Sequence, residues 1–262
     1  MKVRIIPTLL MRGAGLVKSV QYANWRRIGS LTQAINVYRS RDVDELVFLD
    51  IGATAAGAGP DLDVISEVAT GLSVPLAVGG GITSVSAAEA VLREGVEKIV
   101  VNTAVHTDPS LVGALAEAFG SQSIVVAIDV RRGAEGTPIC FSRGATEAIG
   151  RDPVGWAVEL EQRGAGEILL SAVDRDGLMQ GYDIELIRSV GNAVSIPVIA
   201  SCGAGSYENL RDAIVEGGAT AVAAASIFQF TELTPDGARN YLRDAGLPVR
   251  TAWNPSEGYP SP

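Results

Sequence analysis

Polar side chains follow several apolar runs of this sequence, at positions where they could move protons or hold a polar ligand. Asp129 ends the run VVAID, while Asn102 and Ser171 follow two other apolar runs. Burial of a carboxylate at such a position raises its pKa toward the range useful for a general acid or base. We therefore expect Asp129 to transfer protons, although pairing with Arg131 or Arg132 or the capping of a turn is the alternative.

The segment 174–177 (DRDG) places two more carboxylates after the run that ends at Ser171. Asp176 and Gly177 could contact a ligand there, but the same composition is typical of an ordinary turn. His106 is the only histidine, and we expect it at the surface, in a loop that begins a helix. A catalytic triad that needs histidine is therefore excluded, and acid–base chemistry falls to carboxylates.

Two glycine-rich segments could each hold a phosphate. Residues 75–84 (PLAVGGGITS) run from an apolar strand through Gly79, Gly80 and Gly81 into a helical pattern, and residues 197–206 (PVIASCGAGS) repeat this plan. Backbone N–H groups at a helix N-terminus bind anions, and glycine lets the anion approach closely. The sequence predicts two phosphate cups, which we call the first and the second cup.

The spacing between the cups indicates an internal duplication. The second cup lies 122 positions after the first, and the same offset aligns residues 94–95 (EG) with 216–217 (EG) and 102–104 (NTA) with 224–226 (AAS). A duplicated scaffold with a phosphate cup in each half predicts an elongated ligand with a phosphate at each end.

Composition limits the class of protein. The chain has 262 residues, 47% of them hydrophobic, and a net charge of −9, which argues against nucleic acid or an acidic membrane as a partner. It lacks an apolar run of membrane-spanning length and a signal-peptide pattern, so we expect a cytoplasmic protein. Because only Cys140 and Cys202 are present, we expect no disulfide framework, no metal site and no cofactor.

Apolar runs alternate with helical patterns along most of the chain. Strands are predicted at 3–9, 45–51, before the first cup, and at 98–101, 124–129, 167–171, 196–200 and 219–224. Helices are predicted at 30–41, 61–70, 84–94, 109–119, 153–163, 184–190, 207–216 and 234–245. Eight such units, repeated in two halves, predict a single (β/α)8 TIM barrel over residues 1–250 with a flexible tail at 251–262, and an open doubly wound sheet is the alternative. We assign no role to the loop at 131–150.

Several motifs in this order resemble the cyclase subunit of imidazole glycerol phosphate synthase, almost from end to end. They are RIIP (4–7), DELVFLDI (44–51), VGGGI (78–82), VVNTA (100–104), FGSQSIVVAID (119–129), GAGEILL (164–170), DRDG (174–177), GYD (181–183), IPVIAS (196–201) and AASIF (224–228). The resemblance implies a barrel that receives ammonia from a separate glutaminase subunit and binds an elongated substrate with two phosphates.

The resemblance also implies two catalytic aspartates, at the ends of the first and fifth strands. The second matches Asp129, whereas the first falls on Leu10. Overlaying the two halves of the chain without reference to the family also sets Leu10 opposite Asp129. Because leucine cannot exchange a proton, we expect cyclisation to be poor or absent.

Four charged residues match those that gate an ammonia channel in the family. These are Arg4, Glu45, Lys98 and Glu167. They begin four strands at the same end of the predicted barrel, where opposite charges must pair, so a purely structural ring of salt bridges is the alternative.

Further residues match ligand-contact positions of the family. They are Lys18, Asp50, Asn102, Thr103, Ser171, Gly177, Gly203, Ala204, Ala225 and Ser226. The chain departs from the pattern at Cys202, where the family has glycine, and at Leu178, where it has threonine. Cys202 puts close approach of a phosphate to the second cup in question.

A leucine at position 10 beside an intact gate resembles an offshoot of the family that takes part in sugar amidation for surface polysaccharides. The leading hypothesis is the barrel subunit of a glutamine-dependent ammonia-transfer complex of that kind. One alternative is a true cyclase of histidine biosynthesis, in which Asp50 or Asp176 replaces the missing acid. Another is a non-catalytic scaffold that activates a glutaminase.

Overall fold

The computed structural model describes residues 2–41, 43–133 and 135–251. All but the first residue of the tail expected at 251–262 lies outside this part of the chain. Its strands are β1 (Arg4–Arg12), β2 (Gly15–Val20), β3 (Ala23–Gly29), β4 (Leu46–Asp50), β5 (Leu76–Gly79), β6 (Lys98–Val101), β7 (Ile124–Arg132), β8 (Pro138–Ser142), β9 (Glu147–Ala148), β10 (Glu167–Ala172), β11 (Val198–Ser201) and β12 (Ala221–Ala224).

Eight of these strands form a closed parallel barrel. Their order is β1, β4, β5, β6, β7, β10, β11 and β12, and β12 pairs back onto β1. Pairing of β7 with β10 completes the circle, with Asp129 opposite Ser171. The predicted TIM barrel is confirmed, and the alternative of an open sheet is wrong because no gap separates β7 from β10.

Side chains of the barrel strands alternate between two apolar layers, as the period of two in a β-strand requires. On β7, Val125 and Ala127 point into the barrel, whereas Val126 and Ile128 pack against the surrounding helices. The inner layer consists of Ile6, Val47, Ala77, Val100, Val125, Ala127, Leu169, Ile199, Ala221 and Ala223. Asp129 continues the inward set of β7, and Leu10 continues the inward set of β1.

The helices surround the barrel and include three short ones that the sequence patterns did not predict. The helices are α1 (Leu31–Arg39), α2 (Ala53–Ala56), α3 (Leu62–Gly71), α4 (Val85–Arg93), α5 (Thr103–Thr107), α6 (Ser110–Phe119), α7 (Pro153–Gln162), α8 (Ile184–Gly191), α9 (Tyr207–Val215), α10 (Ser226–Phe230) and α11 (Pro235–Asp244). Side-chain oxygens of Ser30, Asp61, Ser84, Ser206 and Thr234 accept backbone N–H bonds at the starts of five predicted helices. α2, α5 and α10 have at most five residues each, too few for helical periodicity to detect.

Two β-hairpins stand on the barrel where the sequence predicted none. β1 continues to Arg12, past the predicted end at residue 9, and β2 pairs with both β1 and β3. The loop expected at 131–150 contains the extension of β7 and the antiparallel pair β8 and β9. We call them the first hairpin (β2–β3) and the second hairpin (β8–β9). Their turns place Gln21, Tyr22 and Arg143 at positive φ instead of using an Asn-Gly pair, so the usual hairpin signal is missing.

His106 does not lie free at the surface as expected. It belongs to α5, where its ring stacks on Trp156 at 5.1 Å between centroids, and burial lowers the pKa of His106 to about 4. Neither ring nitrogen has a hydrogen-bond partner among the described residues. The ring therefore packs as a neutral aromatic group.

Two searches of the described residues gave negative results. No helix there is long and apolar enough to cross a membrane. No group of three or more histidine, cysteine, aspartate or glutamate side chains there could hold a metal ion.

Candidate active site

Two cavities of unequal size open at the end of the barrel where the parallel strands finish, which we call the mouth. The larger has a volume of about 730 Å³ and is lined by the first cup together with Asp50, Asn102, Thr103, Asp129 and Ser171. The smaller, of about 40 Å³, is lined by Asp176, Gly177 and the second-cup residues Cys202, Gly203 and Ala204, with Ala225 and Ser226. The structure thus brings most of the predicted site residues to one end of the barrel.

Asp129 lies at the centre of this arrangement, and it is only 6% exposed. Its Oδ2 accepts a hydrogen bond of 2.7 Å from Asn102 Nδ2, and its Oδ1 accepts one of 3.3 Å from the Tyr22 hydroxyl. Burial raises the pKa of Asp129 to about 6, and hydrogen bonds from Tyr22, Asn102 and Ser171 oppose that rise. A carboxylate with this pKa can both accept and donate a proton near neutral pH. The alternative pairing with Arg132 is absent, since that guanidinium binds Asp183 at 2.9 Å.

Leu10 lies on the strand across the mouth from Asp129, since β1 and β7 are four strands apart in the barrel. It pairs with Leu49 of β4 and is 8% exposed. Its side chain has the inward direction that Asp129 has on β7, but it offers no atom that can bind or release a proton. The mouth therefore presents one inward carboxylate at these two positions instead of two.

The first cup needs its glycines for steric reasons. A Cβ on Gly80 would lie 2.3 Å from the carbonyl oxygen of Asp50, and one on Gly81 would lie 2.5 Å from that of Ala58. Both glycines also have positive φ, at 119° and 69°. The backbone here is consequently open to a ligand only because no side chain intervenes.

Two polar residues near the first cup already accept hydrogen bonds from backbone N–H groups of the protein. Asp50 Oδ1 accepts hydrogen bonds from the N–H groups of Gly52 and Ala53, so it holds the start of α2 as well as lining the cavity. Thr103 Oγ1 accepts a hydrogen bond of 3.1 Å from the backbone N–H of Arg143. This bond ties the second hairpin to the rim of the first cup.

The glycine run of the first cup is interrupted in the second cup, where Ser201 corresponds to Gly79. Cys202 occupies the place that corresponds to Gly80 and has a φ of 75°. Gly203 follows at a φ of 109°, and a Cβ there would lie 2.3 Å from the carbonyl oxygen of Gly181. The cysteine is tolerated at a positive φ that side chains rarely adopt, and its sulfur lies against Ser201 at 3.8 Å.

The DRDG segment packs against the first hairpin, to which Lys18 belongs. Asp176 Oδ2 accepts hydrogen bonds from Ser19 Oγ at 2.7 Å and from the backbone N–H of Tyr22 at 3.4 Å. Burial lowers the pKa of Lys18, and the nearby Asp176 charge opposes that effect. Lys18 is only 4% exposed, and it does not line either cavity within the described residues. DRDG therefore anchors a hairpin, as the turn interpretation suggested, while Asp176 and Gly177 also face the smaller cavity.

Sequence patterns missed the residues that the hairpins bring to the mouth. Arg12, Tyr22, Trp25 and Arg143 all line the larger cavity. A weak signal was available for the first hairpin, since GLVKSV (15–20) contains two valines, but the segment does not alternate and the turn after it has no glycine. These residues add cations and aromatic rings to a site that sequence alone described as backbone and carboxylates.

The opposite end of the barrel, which we call the floor, carries a closed ring of charges. Arg4 contacts Glu45 at 2.6 Å and Glu167 at 3.1 Å, and Lys98 contacts the same two carboxylates at 3.0 and 3.2 Å. Glu45 is the most enclosed, with 3% of its side chain exposed. Both cations therefore bind both anions, as either a gate or a structural ring requires.

Comparisons with known proteins agree along nearly the whole chain. Residues 4–234 match the family described as "Histidine biosynthesis protein". A protein of Hyphomonas neptunium named "Imidazole glycerol phosphate synthase subunit HisF" is 46% identical over 251 residues, which cover 96% of this chain and 99% of that protein. A protein of the same name from Caulobacter vibrioides is 45% identical over 251 residues, covering 95% of this chain and 96% of the relative.

Proposed function

This chain belongs to the histidine biosynthesis protein family, and we propose that it acts as the cyclase subunit of an imidazole glycerol phosphate synthase. The relatives reported above carry that name and match almost end to end. They favour this function over sugar amidation, which the sequence patterns had placed first. The observation that carries the proposal is Asp129, a buried carboxylate between two glycine cups at the mouth of a closed barrel.

In the proposed reaction, ammonia from a glutaminase subunit enters at the floor and meets a substrate with two phosphates at the mouth. The glycine cups bind the phosphates through backbone N–H groups, with Asn102 and Thr103 beside the first cup and Ala225 and Ser226 beside the second. Asp129 takes up and returns protons as the imidazole ring closes. Because Leu10 supplies no second acid, Asp50 or Asp176 would have to take its part, and both line the cavities.

The direct test supplies the purified protein with an ammonium salt and the bis-phosphorylated formimino ribotide, and measures imidazole glycerol phosphate by mass spectrometry. Asp129→Asn should lower the rate by at least about a hundredfold, because general acid–base groups contribute factors of that size. Glu89→Gln is a matched control, since Glu89 lies on exposed helix α4 and pairs only with Arg93 among the described residues. Absence of turnover by the unaltered protein would contradict a cyclase.

We propose that the floor ring gates the ammonia. Lys98→Met should reduce glutamine-driven turnover in the complex with a glutaminase more than ammonium-driven turnover, because added ammonium can also enter at the mouth. Comparing the two rates in one preparation cancels any loss of folded protein. Equal loss of both rates would favour the purely structural ring.

Leu10 favours a second candidate, in which the barrel relays ammonia to a separate acceptor such as a sugar bound by another enzyme. Here the chain would bind a glutaminase and pass on nitrogen without cyclising any substrate. Glutamine labelled with ¹⁵N in its amide separates the two: label in imidazole glycerol phosphate supports the cyclase, and label only in another product supports the relay. Full glutaminase stimulation by Asp129→Asn, with no labelled product from either protein, would indicate a scaffold instead.

A further inference from the structure

The turn of the first hairpin lies over the mouth and is held there by hydrogen bonds to two other segments of the chain. The backbone N–H of Gln21 donates to the carbonyl of Asp176 at 2.9 Å, and its side-chain amide donates to the carbonyl of Asp174 at 2.9 Å. Arg131 Nη2 donates to the carbonyl of Gln21 at 2.7 Å. Three bonds from two separate segments therefore determine where the next residue, Tyr22, stands.

Tyr22 has an unfavourable backbone conformation for its type. Its φ is 57° and that of Gln21 is 54°, whereas two-residue hairpin turns with positive φ normally use asparagine and glycine. A bulky side chain in this region costs about 1 kcal/mol or more unless the surroundings impose it. The anchors of Gln21 impose it here, and they direct the ring of Tyr22 inward.

The hydroxyl of Tyr22 ends at the carboxylate of Asp129. It donates to Oδ1 at 3.3 Å, while Asn102 occupies Oδ2 at 2.7 Å, so each oxygen of Asp129 has its own donor. Part of the Tyr22 residue is exposed, but its hydroxyl is buried. Burial raises the pKa of that hydroxyl well above its ordinary value. The phenol therefore stays protonated and can only donate to an ionised Asp129.

We propose that Tyr22 is a positioning residue for Asp129, carried across the mouth by the first hairpin so that its hydroxyl orients and stabilises the carboxylate. Tyr22 and Asn102 are then two hydrogen-bond donors that the first half of the barrel contributes to the acid of the second half, and Tyr22 is the one that the hairpin carries. The inference holds for whichever proton transfer Asp129 performs, and so it stands apart from the proposed cyclase reaction.

Other groups near Asp129 also affect how readily it ionises. The Asp176 charge opposes ionisation of Asp129 from the segment after β10, and Ser171 on β10 favours it. Cys202, directly after β11, and Cys140 on β8 act on Asp129 as neutral thiols, because burial raises the pKa of both. Lys18 acts on Asp176 and Cys202 from β2. Removing only the Tyr22 hydroxyl leaves all of these side chains in place, although Ser171 loses one hydrogen-bond partner.

The test is an NMR titration of the Asp129 carboxyl carbon in protein labelled with ¹³C-aspartate, the signal being identified by its absence in Asp129→Asn. Tyr22→Phe should raise the pKa of Asp129 by about half a unit to one unit, since a hydrogen bond to the ionised form is lost. Tyr241→Phe, which removes a hydroxyl on remote helix α11, should leave the pKa unchanged. An unchanged pKa in Tyr22→Phe would overturn the proposal, since it would mean that the ring, which phenylalanine keeps, merely excludes water; a fall in the pKa would overturn it too.

A reciprocal titration keeps the proposal testable if Tyr22→Phe does not fold. The charge of Asp129 raises the pKa of the Tyr22 hydroxyl, so Asp129→Asn should bring that pKa down, as followed by the ¹³Cζ signal of the tyrosine. No change in Asp129→Asn would overturn the contact. Neither titration needs turnover, so failure of the cyclase assay would leave this result unaffected. If turnover is found, Tyr22→Phe should also move the acidic limb of its pH profile upward.

Discussion

The two halves of the barrel share their plan and differ in their chemistry. In each half the first barrel strand, β1 or β7, continues into a hairpin. The third barrel strand, β5 or β11, ends in a glycine turn, and the helix after that turn is capped by a serine, Ser84 or Ser206. The inward residue at the end of the first strand is Leu10 in one half and Asp129 in the other. The strand–turn–helix scaffold is therefore present twice, whereas an inward carboxylate at the end of the first strand is present once.

Each hairpin also reaches into the opposite half. The first hairpin brings Tyr22 to Asp129, and the second brings the backbone of Arg143 to Thr103 beside the first cup. The difference between the halves is thus partly compensated across the mouth. Four sets of substitutions test how far the two halves differ.

The largest effect is expected from restoring the missing acid. Leu10→Asp should raise ammonium-driven cyclisation by about 10²- to 10⁴-fold, because it returns a proton-transfer group to the first half. Leu10→Asn is the matched control, with the same shape as aspartate and no exchangeable acid proton. The rates of both variants are measured with the ribotide assay described above. An equal gain in rate for Leu10→Asp and Leu10→Asn would show that position 10 lacks polarity and not acidity.

At the floor, the two halves contribute one carboxylate each, but the two are not equally enclosed. Glu45 contacts Arg4 at 2.6 Å with 3% of its side chain exposed, whereas Glu167, 12% exposed, contacts Arg4 at 3.1 Å. Breaking a buried ion pair leaves a charge unpaired, so Glu45→Gln should lower the free energy of unfolding by about 3 kcal/mol.

Denaturant unfolding checks this order. Glu167→Gln should lower the free energy of unfolding by less than Glu45→Gln does. The exposed pair of Glu89 with Arg93 provides a control, since Glu89→Gln should change it by less than about 1 kcal/mol. Equal losses for Glu45→Gln and Glu167→Gln would mean that the halves share the ring evenly.

Ionisation of the buried Asp129 should reduce the stability of the protein. The pKa of Asp129 rises from 3.8 to about 6 on folding, so the native state binds more protons than the unfolded state between these values, and stability falls as pH rises through them. Asp129→Asn removes this loss. Its stability relative to the unaltered protein should improve by about 2.5 kcal/mol between pH 4 and pH 8, measured by urea unfolding at both. Asn102 Oδ1, which has no hydrogen-bond partner among the described residues, can then accept from the new amide. A constant difference across that range would contradict a buried, shifted carboxyl.

The smallest of the four effects concerns the cups. Gly80→Cys, which copies the second cup into the first, should destabilise by about 2 kcal/mol or more, because its Cβ would lie 2.3 Å from the Asp50 carbonyl oxygen. Cys202→Gly, the reverse exchange, should change stability by no more than about 1 kcal/mol, since relief at positive φ offsets lost packing. Thermal unfolding of both variants tests the pair, and tolerance of Gly80→Cys would show that the cups are interchangeable.

Much of the barrel could be predicted from local patterns. Strands of valine, isoleucine and alanine and helix starts at Ser30, Asp61 and Ser84 were recognisable because each depends on a few neighbouring residues. The hairpins were missed, and His106 was misplaced. Those features depend on contacts between residues far apart in sequence, such as the stacking of His106 on Trp156.

Composition, periodicity and repetition are properties of the chain alone, so they were enough to predict the architecture, the two glycine-rich segments and a leucine at the position that corresponds to Asp129. Tertiary structure decided what surrounds Asp129: a phenol 107 positions away, an amide from a different strand, and enough burial to raise its pKa to about 6. A pKa and a hydrogen-bond partner are set by distance and solvent exclusion, and neither can be computed until the barrel has closed and the hairpins have folded over its mouth.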